Sequence, residues 1–201
     1  MNKKVILMIL DGWGKSPDPK VSAIDNANIP FINSLYKNYP SAQLRTDGLN
    51  VGLPEGQMGN SEVGHMNLGA GRIVYQDLAK INLAVANNTL AKEQVLVDAF
   101  TYAKANNKKV HFLGLVSDGG VHSHTSHLRG LINATQQHGL QKVFVHAFTD
   151  GRDVDPKSGK QYIQDLQNYI ANTTVKLASV VGRYYAMDRD RRWERVKLAY
   201  D

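Results

Sequence analysis

Residues 110–116 are Val-His-Phe-Leu-Gly-Leu-Val, and two similar apolar, β-branched runs follow at residues 143–148 and 175–181. The three runs begin 33 and 32 residues apart, which is the length of a βαβ unit. The segments between them carry apolar residues at helical spacing, such as Leu128, Leu131 and Ile132. This pattern predicts three parallel strands joined by crossover helices. Because the runs are apolar throughout, we expect a doubly wound α/β sheet that is buried on both faces.

The first 76 residues have a different organisation. The apolar run at residues 5–10 predicts a buried strand, residues 29–37 a short helix, and residues 42–46 a second strand. Between Asp47 and Gly71 lie seven of the 17 glycines, which predicts a loop built from turns and close backbone approaches. Helical pattern resumes at residues 76–83 and 93–105. We therefore predict two domains, residues 1–76 and 77–201.

The chain has few elements with which to cover residues 5–10. It also ends at Asp201 inside an amphipathic segment, residues 191–200, which has no glycine cap. From these two features we expect the sequence to be the N-terminal portion of a longer protein.

Composition excludes several kinds of site. The 201 residues include no cysteine, which excludes a disulfide framework, a thiolate zinc site, an iron–sulfur cluster and a cysteine nucleophile. Residues 5–10 are too short for a signal peptide or a membrane span, so we expect a cytoplasmic protein without a membrane partner. The formal charge is +6, and residues 183–197 hold six basic and three acidic residues. This local excess favours an anion site over a broad nucleic-acid surface.

Polar residues follow each predicted strand. In open α/β sheets, ligands bind beyond the carboxyl ends of the strands, so these loops are the places to look for chemistry. They would bring a histidine, an Arg-Asp pair and two further arginines to one edge, which suits an anionic substrate that carries phosphate and carboxylate. The loops are Asp11-Gly12-Trp13-Gly14, residues 117–124, residues 149–153 and residues 182–189.

Each loop also has a simpler interpretation. An Asp-Gly pair after a strand is commonly only a turn, and Arg152 beside Asp153 could be a solvated ion pair. His122, His124 and His127 have the spacing of a metal cluster, yet His124 and His127 stand where a helix begins, which suits surface or capping roles. The coincidence of all four loops at strand ends favours the functional interpretation.

Ser61 lies in Gly59-Asn60-Ser61-Glu62-Val63-Gly64-His65. It could simply start a helix as an N-cap or first-turn residue. It could equally be a nucleophile at a glycine-lined helix N-terminus, where backbone N–H groups favour a phosphoryl group. No histidine–carboxylate pair adjoins it in sequence, so a metal ion is the natural activator and Asp11 a plausible ligand. Walker and Rossmann fingerprints are absent.

Four segments together resemble the cofactor-independent phosphoglycerate mutases, and the resemblance runs from residue 4 to the last residue. These segments are residues 9–14, residues 58–72, residues 117–124 and Asp150-Gly151-Arg152-Asp153. The resemblance implies that residues 1–76 are the N-terminal part of an alkaline-phosphatase-like metal domain. Residues 77–201 would be an incomplete phosphotransferase domain that binds the substrate. The implied reaction is the glycolytic interconversion of 3-phosphoglycerate and 2-phosphoglycerate through a phosphoserine. It would use two divalent metal ions, usually Mn²⁺, and no 2,3-bisphosphoglycerate, in a monomeric full-length enzyme without nucleic-acid partners.

The resemblance also implies roles by position. Ser61 would be transiently phosphorylated and would ligate one metal together with Asp11. Asp153 would be the proton shuttle for the glycerate hydroxyls. The residues that would hold the phosphoglycerate are His122, Arg152, Asp153, Arg183 and Arg189. The family completes its metal sites and its substrate clamp from a C-terminal half that this sequence does not include. We therefore expect the chain alone to be inactive as a mutase while retaining weak substrate binding.

Two rival functions remain open. A metal-dependent phosphomonoesterase of the alkaline phosphatase superfamily would share Asp11 and Ser61 but would pass the phosphoryl group to water, without need of the loops at His122, Arg152 and Arg183. A basic nucleic-acid-binding module would explain the pI of about 9.4. Only residues 183–197, with two tyrosines and Trp193, resemble such a surface.

Overall fold

A computed structural model describes residues 4–201 of the chain. It divides into two compact units, Met1–Gln76 and Asp77–Asp201. None of the described helices has the length and apolar character that a bilayer span requires.

The first unit contains two α-helices, α1 (Pro30–Asn38) and α2 (Ser61–Ala70), and 3₁₀ turns at Pro19–Val21 and Gly48–Val51. The helix expected at residues 29–37 is confirmed as α1. The strands expected at residues 5–10 and 42–46 are wrong: both segments lack strand pairing within the described chain, and Val5 and Ile6 are 89% and 88% exposed. A parallel strand needs a neighbour for its backbone groups, and an apolar sequence alone does not provide one.

Close backbone approaches shape the glycine-rich loop of this unit, as predicted. A Cβ on Gly59 would overlap the carbonyl oxygen of Thr46, and Gly52 has a φ of +82° with Val74 directly against it. Asn67 of α2 fastens the loop, since its side chain donates to Val51 O at 3.0 Å and accepts from Val74 N at 2.8 Å. The buried core of this unit is small and consists of Val51, Leu53 and Val63.

The second unit alternates helices and strands along the chain. A 3₁₀ turn at Leu90–Lys92 separates its first two helices, and two short helices follow the last strand. Its elements are α3 (Asp77–Ala86), α4 (Gln94–Ala105), β1 (Val110–Leu115), α5 (Thr125–Gln137), β2 (Val143–Thr149), α6 (Gly159–Ile170), β3 (Val175–Gly182), α7 (Arg183–Ala186) and α8 (Trp193–Tyr200).

The three strands form one parallel sheet in the order β1-β2-β3, with Val110 beside Val143 and Val143 beside Val175. The predicted parallel strands and crossover helices are confirmed, and each strand boundary lies within one residue of its expected position. One face of the sheet carries the core: Val143 and Ala147 are fully buried and pack in one cluster with α4, α5 and α6. Burial of these side chains is what holds the sheet and helices together.

The other face of the sheet corrects the prediction of burial on both sides. Leu113 on β1 is 66% exposed, and Lys176 on β3, which pairs with Phe144, is exposed as well. On this face His146 hydrogen-bonds to His111 at 2.9 Å and to Ser179 at 2.8 Å. The largely apolar composition of the runs hides this asymmetry, because one histidine in each of the first two strands and a serine in the third are the main sequence traces of the polar face.

Candidate active site

Ser61 is the first residue of α2. The helix is capped by Asn60, whose side chain accepts a hydrogen bond from Val63 N at 3.0 Å, so the capping role expected as one possibility for Ser61 belongs to its neighbour. This frees the Ser61 hydroxyl, which donates to Asp11 Oδ2 at 2.7 Å across 50 residues of sequence. The structure therefore brings together the two residues predicted to share a metal. Both side chains are exposed.

A histidine to which the sequence patterns assign no role also contacts Ser61. His65 Nδ1 lies 2.9 Å from the Ser61 carbonyl oxygen and 3.2 Å from Ser61 Oγ. A proton on Nδ1 satisfies both contacts, because the carbonyl can only accept. In that tautomer His65 donates toward Ser61 and cannot accept its proton through Nδ1. His65 thus orients the hydroxyl and leaves the activation of Ser61 to another group.

The donor set at Ser61 fits part of a divalent metal site. A carboxylate and a hydroxyl are hard oxygen ligands of the kind that Mn²⁺ accepts. Over residues 4–201 no three His, Asp or Glu side chains lie close enough together to hold an ion. Asp11 and Ser61 would therefore supply two ligands and no more.

The second group of predicted residues lies at the carboxyl edge of the sheet. Asp150, the first residue after β2, is almost fully buried, with 1% of its side chain exposed. Its Oδ2 accepts a 2.6 Å hydrogen bond from Ser117, which follows β1. Its Oδ1 accepts from Arg183 Nη1 at 2.7 Å and from the backbone N–H groups of Arg152 and Asp153, both at 3.1 Å. One carboxylate therefore joins the loops that follow all three strands.

Arg183 is held on two sides. Besides Asp150, its Nη1 donates to Asp153 Oδ2 at 2.6 Å, and only 11% of the arginine side chain and 14% of the Asp153 side chain are exposed. Two carboxylates around one guanidinium form a charge-assisted network that is stronger than a neutral hydrogen bond. Asp153 and Arg183, both predicted to hold the substrate, are thus in direct contact.

The pKa of Asp150 shows the strength of this network. Burial by itself would raise the pKa of the carboxyl, but the hydrogen bonds from Ser117, Asp153 N, Arg183 and Arg152 N outweigh it and lower the pKa to about 2. Burial by itself would lower the pKa of Arg183, but its bonds to Asp153 and Asp150 more than compensate, so the pKa is raised. Both groups are charged at neutral pH.

Three predicted substrate residues are exposed: His122 in the loop after β1, Arg152 in the loop after β2, and Arg189 beyond α7. The side chains of His122, Arg152 and Arg189 are exposed, and none has a hydrogen bond or ion pair to any residue in the range 4–201. The loop that carries His122 is fixed at its base, where Ser123 Oγ donates to Leu115 O at 2.9 Å and Thr125 N donates to Ser117 O at 2.8 Å. A fixed loop with a free imidazole is available to bind a ligand.

The alternative of a metal cluster at His122, His124 and His127 finds no support in the described residues. His124 is the N-cap of α5 and accepts from Ser126 N at 3.1 Å, so its expected capping role is confirmed. His127 contacts Asn82 Oδ1 at 2.5 Å, and burial followed by the charge of His124 lowers its pKa. Both histidines thus have structural partners.

Residues 183–197 contain an internal ion pair and a cation–π contact. Asp188, whose side chain is 2% exposed, accepts from Arg195 at 3.4 Å, and the Arg195 guanidinium lies 4.0 Å from the Tyr184 ring centroid. A face of Tyr184 is thereby covered. The stretch that resembles a nucleic-acid surface in sequence is in part a compact ion-pair and cation–π cluster.

The sequence places Ser117 and Asp150 in the candidate loops but assigns neither a role. Their only signal is position: each is among the first residues after a predicted strand, close to the Gly that marks a turn. An Asp-Gly pair that only turns the chain and one that anchors it have the same sequence. Only the tertiary contact between Ser117 and Asp150, 33 residues apart, separates the two.

Residues 81–201 match the family model described as BPG-independent PGAM N-terminus. The whole chain is 89% identical to a 2,3-bisphosphoglycerate-independent phosphoglycerate mutase of Flavobacterium johnsoniae and 57% identical to one of Parabacteroides distasonis. The chain spans 40% of the length of each of these relatives.

A solved structure is similar as well, that of Leishmania mexicana phosphoglycerate mutase crystallised at low cobalt concentration. It shares 32% sequence identity with this chain at a TM-score of 0.58, and the match covers 87% of this chain and 33% of that one. The family model and the high identity to these relatives agree, and the chain belongs to the family of N-terminal regions of 2,3-bisphosphoglycerate-independent phosphoglycerate mutases.

Proposed function

We propose that this chain takes part in the interconversion of 3-phosphoglycerate and 2-phosphoglycerate, with Ser61 as the transient phosphoryl acceptor and the second unit as the holder of the glycerate. The observation that carries this proposal is the carboxyl edge of the sheet. There, the network of Asp150, Asp153 and Arg183 shares one edge with the loops that carry the exposed residues His122 and Arg152, and the exposed Arg189 follows α7, the helix that begins at Arg183. Fixed and exposed cations at one edge suit a ligand with separate carboxylate and phosphate groups.

Ser61 would accept the phosphoryl group. The bond between phosphorus and the substrate oxygen breaks as a bond from phosphorus to Ser61 Oγ forms. The hydroxyl proton would pass to Asp11, which already accepts its hydrogen bond, and would return to Ser61 when the phosphoryl group leaves. The position of Ser61 at the N-terminus of α2 supports this role, since backbone N–H groups and the helix dipole favour a phosphate there. Asp11, at 2.7 Å, holds the hydroxyl in one orientation.

Asp153 would carry the proton for the glycerate. In this scheme Asp153 takes up a proton when the substrate binds and Arg183 turns to the substrate carboxylate. The substrate oxygen takes that proton when the phosphoryl group leaves, and the other hydroxyl returns one to Asp153 when the group comes back. Atoms and charge then balance over the cycle. Arg183, which contacts Asp153 at 2.6 Å, would bind the carboxylate of the glycerate and keep it from leaving while it reorients.

Divalent metal ions belong to the proposal, with Asp11 and Ser61 as two ligands of one of them. When bound, such an ion lowers the pKa of a coordinated hydroxyl and neutralises charge on the transferring group. Oxygen ligands favour Mn²⁺ or a similar ion, and the similar Leishmania structure was obtained in the presence of cobalt. We propose two such ions, with manganese as the natural one.

The wider assignments follow from family membership. We propose that residues 1–76 are part of an alkaline-phosphatase-like domain and residues 77–201 part of a phosphotransferase domain. The active enzyme would be a cytoplasmic monomer, with no nucleic-acid or membrane partner.

The test uses a grafted enzyme, in which this chain replaces the corresponding 201 residues of the Flavobacterium johnsoniae relative. Ser61→Ala should lower turnover of 3-phosphoglycerate by roughly 10⁴-fold or more, because the phosphoryl group would have no covalent resting place. Rapid acid quench followed by peptide mapping should find phosphoserine at residue 61 in the unsubstituted graft. A phosphoryl group trapped on a different residue would show that Ser61 is not the acceptor.

The same graft separates the mutase from its phosphomonoesterase rival. Release of inorganic phosphate at the rate of 3-phosphoglycerate consumption would support hydrolysis, and formation of 2-phosphoglycerate without free phosphate supports the mutase. A matched control is Ser41→Ala, which removes an exposed serine hydroxyl from the same unit as Ser61. It should leave turnover within about twofold, since surface substitutions away from a site have small effects.

A further inference from the structure

We infer that Asp150 is a positioning residue: its buried carboxylate locks the loops after β1, β2 and β3 together and aims Arg183 at the ligand. The inference rests on the proposed function, because it assigns a task to the site where the glycerate would bind. It concerns a residue that would touch no substrate, since only 1% of the Asp150 side chain is exposed and its hydrogen bonds are to protein groups.

The first argument is the number of bonds on one carboxylate. Asp150 accepts four hydrogen bonds, from Ser117 Oγ, Arg183 Nη1 and two backbone N–H groups. A side chain that serves only to turn the chain bonds to its own backbone two or three residues on. Two of these bonds are instead made to residues 33 positions away in either direction, one just beyond each neighbouring strand. Asp150 therefore connects elements that the sheet hydrogen bonds do not hold beyond the strand ends.

The second argument is that the loops after β1 and β2 are in close contact. A Cβ on Gly119 would lie 3.0 Å from the Cβ of Asp153, so the loop after β1 passes directly against the loop after β2. Ser117, which donates to Asp150, is 1% exposed. A movement of Asp150 would therefore shift both loops, and with them Asp153 and the base of the His122 loop.

The third argument is the orientation of Arg183. An arginine side chain has several rotatable bonds, and ordering it costs conformational entropy. Asp150 and Asp153 order the Arg183 side chain before a ligand binds, because both accept a hydrogen bond from the same Nη1 atom. The remaining guanidinium donors have fixed directions, which is the arrangement that a bidentate carboxylate contact needs.

Asp150→Asn separates this role from a purely electrostatic one. If Asp150 served only as a nearby negative charge, its removal would raise the positive potential at the edge and tighten the binding of an anion. If it positions Arg183, its removal should weaken binding although the charge has become more favourable. The sign of the change therefore decides between the two roles.

The matched control is Asp155→Asn. Asp155 lies in the same loop, is exposed, and its side chain bonds locally, to Lys157 N at 2.7 Å. This substitution removes the same charge close to the same edge without touching the network. Ser117→Ala provides a second variant, because it removes one hydrogen bond to Asp150 and no charge.

The experiment measures two quantities on the 201-residue chain and repeats the binding measurement on the grafted enzyme. Calorimetry gives the affinity for 3-phosphoglycerate, and ¹⁵N NMR of the arginine side chains reports the order of the Arg183 Nε–H group, with Arg183→Lys to assign the signal. We expect Asp150→Asn to weaken binding about tenfold, the equivalent of one charged hydrogen bond, and to broaden or shift the Arg183 signal toward that of a free arginine. Ser117→Ala should act in the same direction by a smaller factor. Asp155→Asn should leave the signal in place and bind equally well or slightly tighter.

The outcomes are distinguishable. An ordered Arg183 signal in Asp150→Asn, with binding unchanged or tighter as in Asp155→Asn, would overturn the positioning role. If Asp150→Asn lowers the thermal stability so far that the chain is unfolded, the same two measurements on Ser117→Ala decide. No binding by the unsubstituted chain or by the grafted enzyme would contradict the proposed function, while the Arg183 signal would still report whether Asp150 holds that side chain. In the graft, the positioning role predicts that Asp150→Asn raises KM and that Asp155→Asn does not.

Discussion

The two units of the chain organise their chemistry in different ways. In the second unit the candidate residues extend from a parallel sheet whose core cluster contains 13 buried residues, and one buried carboxylate joins their loops. In the first unit Ser61 and Asp11 are exposed, and the buried core consists of three residues. A binding edge can therefore be organised by the second unit alone, whereas the reactive pair of the first unit depends on one helix cap and a few glycine contacts.

The sharpest test of this contrast is a pair of core truncations. Ile132→Ala removes a fully buried side chain from the larger core and should lower the free energy of unfolding by about 3–4 kcal/mol. Val63→Ala, in the three-residue core, should cost only about 1 kcal/mol, since fewer atoms surround the cavity. Urea unfolding followed by hydrogen exchange resolves the two units. Equal losses would mean that the smaller core is packed as tightly as the larger one.

A glycine pair tests how far the first unit depends on close backbone contact. Gly59→Ala should destabilise this unit by roughly 2–3 kcal/mol, because the new Cβ would overlap Thr46 O and the loop must shift. Gly64→Ala, in the middle of α2 with no atom within 4 Å of its Cβ, should instead stabilise the helix by up to about 1 kcal/mol. Exchange rates of the α2 amides measure both changes. Similar changes in the α2 exchange rates of the two variants would show that the close contact between residue 59 and Thr46 O does not determine the stability of this unit.

The pH dependence of unfolding tests how much the ionised Asp150 carboxylate stabilises the second unit. The folded pKa of Asp150 is about 2, below the 3.8 of a free aspartate, so the carboxylate stabilises the fold at pH values above about 4. That contribution, about 2 kcal/mol, should disappear as the pH falls from about 4 through 2. Urea titrations of the unsubstituted chain and of Asp150→Asn should differ above about pH 4, and the difference should shrink toward about pH 2. A constant difference over that range would mean that the ionisation of Asp150 is not what stabilises the loops.

Sequence patterns predict the second unit well because its signals are local and repeated. An apolar run, a polar loop and an amphipathic helix recur every 32 or 33 residues, and each recurrence supports the others. Residues 5–10 have an equally strong apolar run, but a strand exists only where another strand pairs with it, and no such partner lies among the described residues. The prediction of a strand at residues 5–10 fails because apolar composition does not show whether another strand is available to pair with it.

The candidate site likewise contains residues that sequence motifs identify and contacts that they do not. The exposed residues His122, Arg152 and Arg189 can be named from motifs, and so can the proximity of Asp11 to Ser61. The contacts of Ser117 with Asp150 and of His65 with Ser61 cannot. Serine, aspartate and histidine at these positions are compatible with turns, caps or solvent, and only the fold selects among them.

The exposed run at residues 5–10 has a consequence for how the chain behaves in concentrated solution. Its side chains project into water while its backbone donors and acceptors lack strand partners among the described residues, and in sequence the charges that flank it are Lys3, Lys4 and Asp11. Such a segment is a template for intermolecular β-pairing, and charges at its two ends alone are weak gatekeepers against it. Colloidal stability should therefore decline with concentration well before the fold itself is lost. Precipitates of this chain should contain cross-β structure seeded at these six residues, with the sheet of the second unit still native inside them.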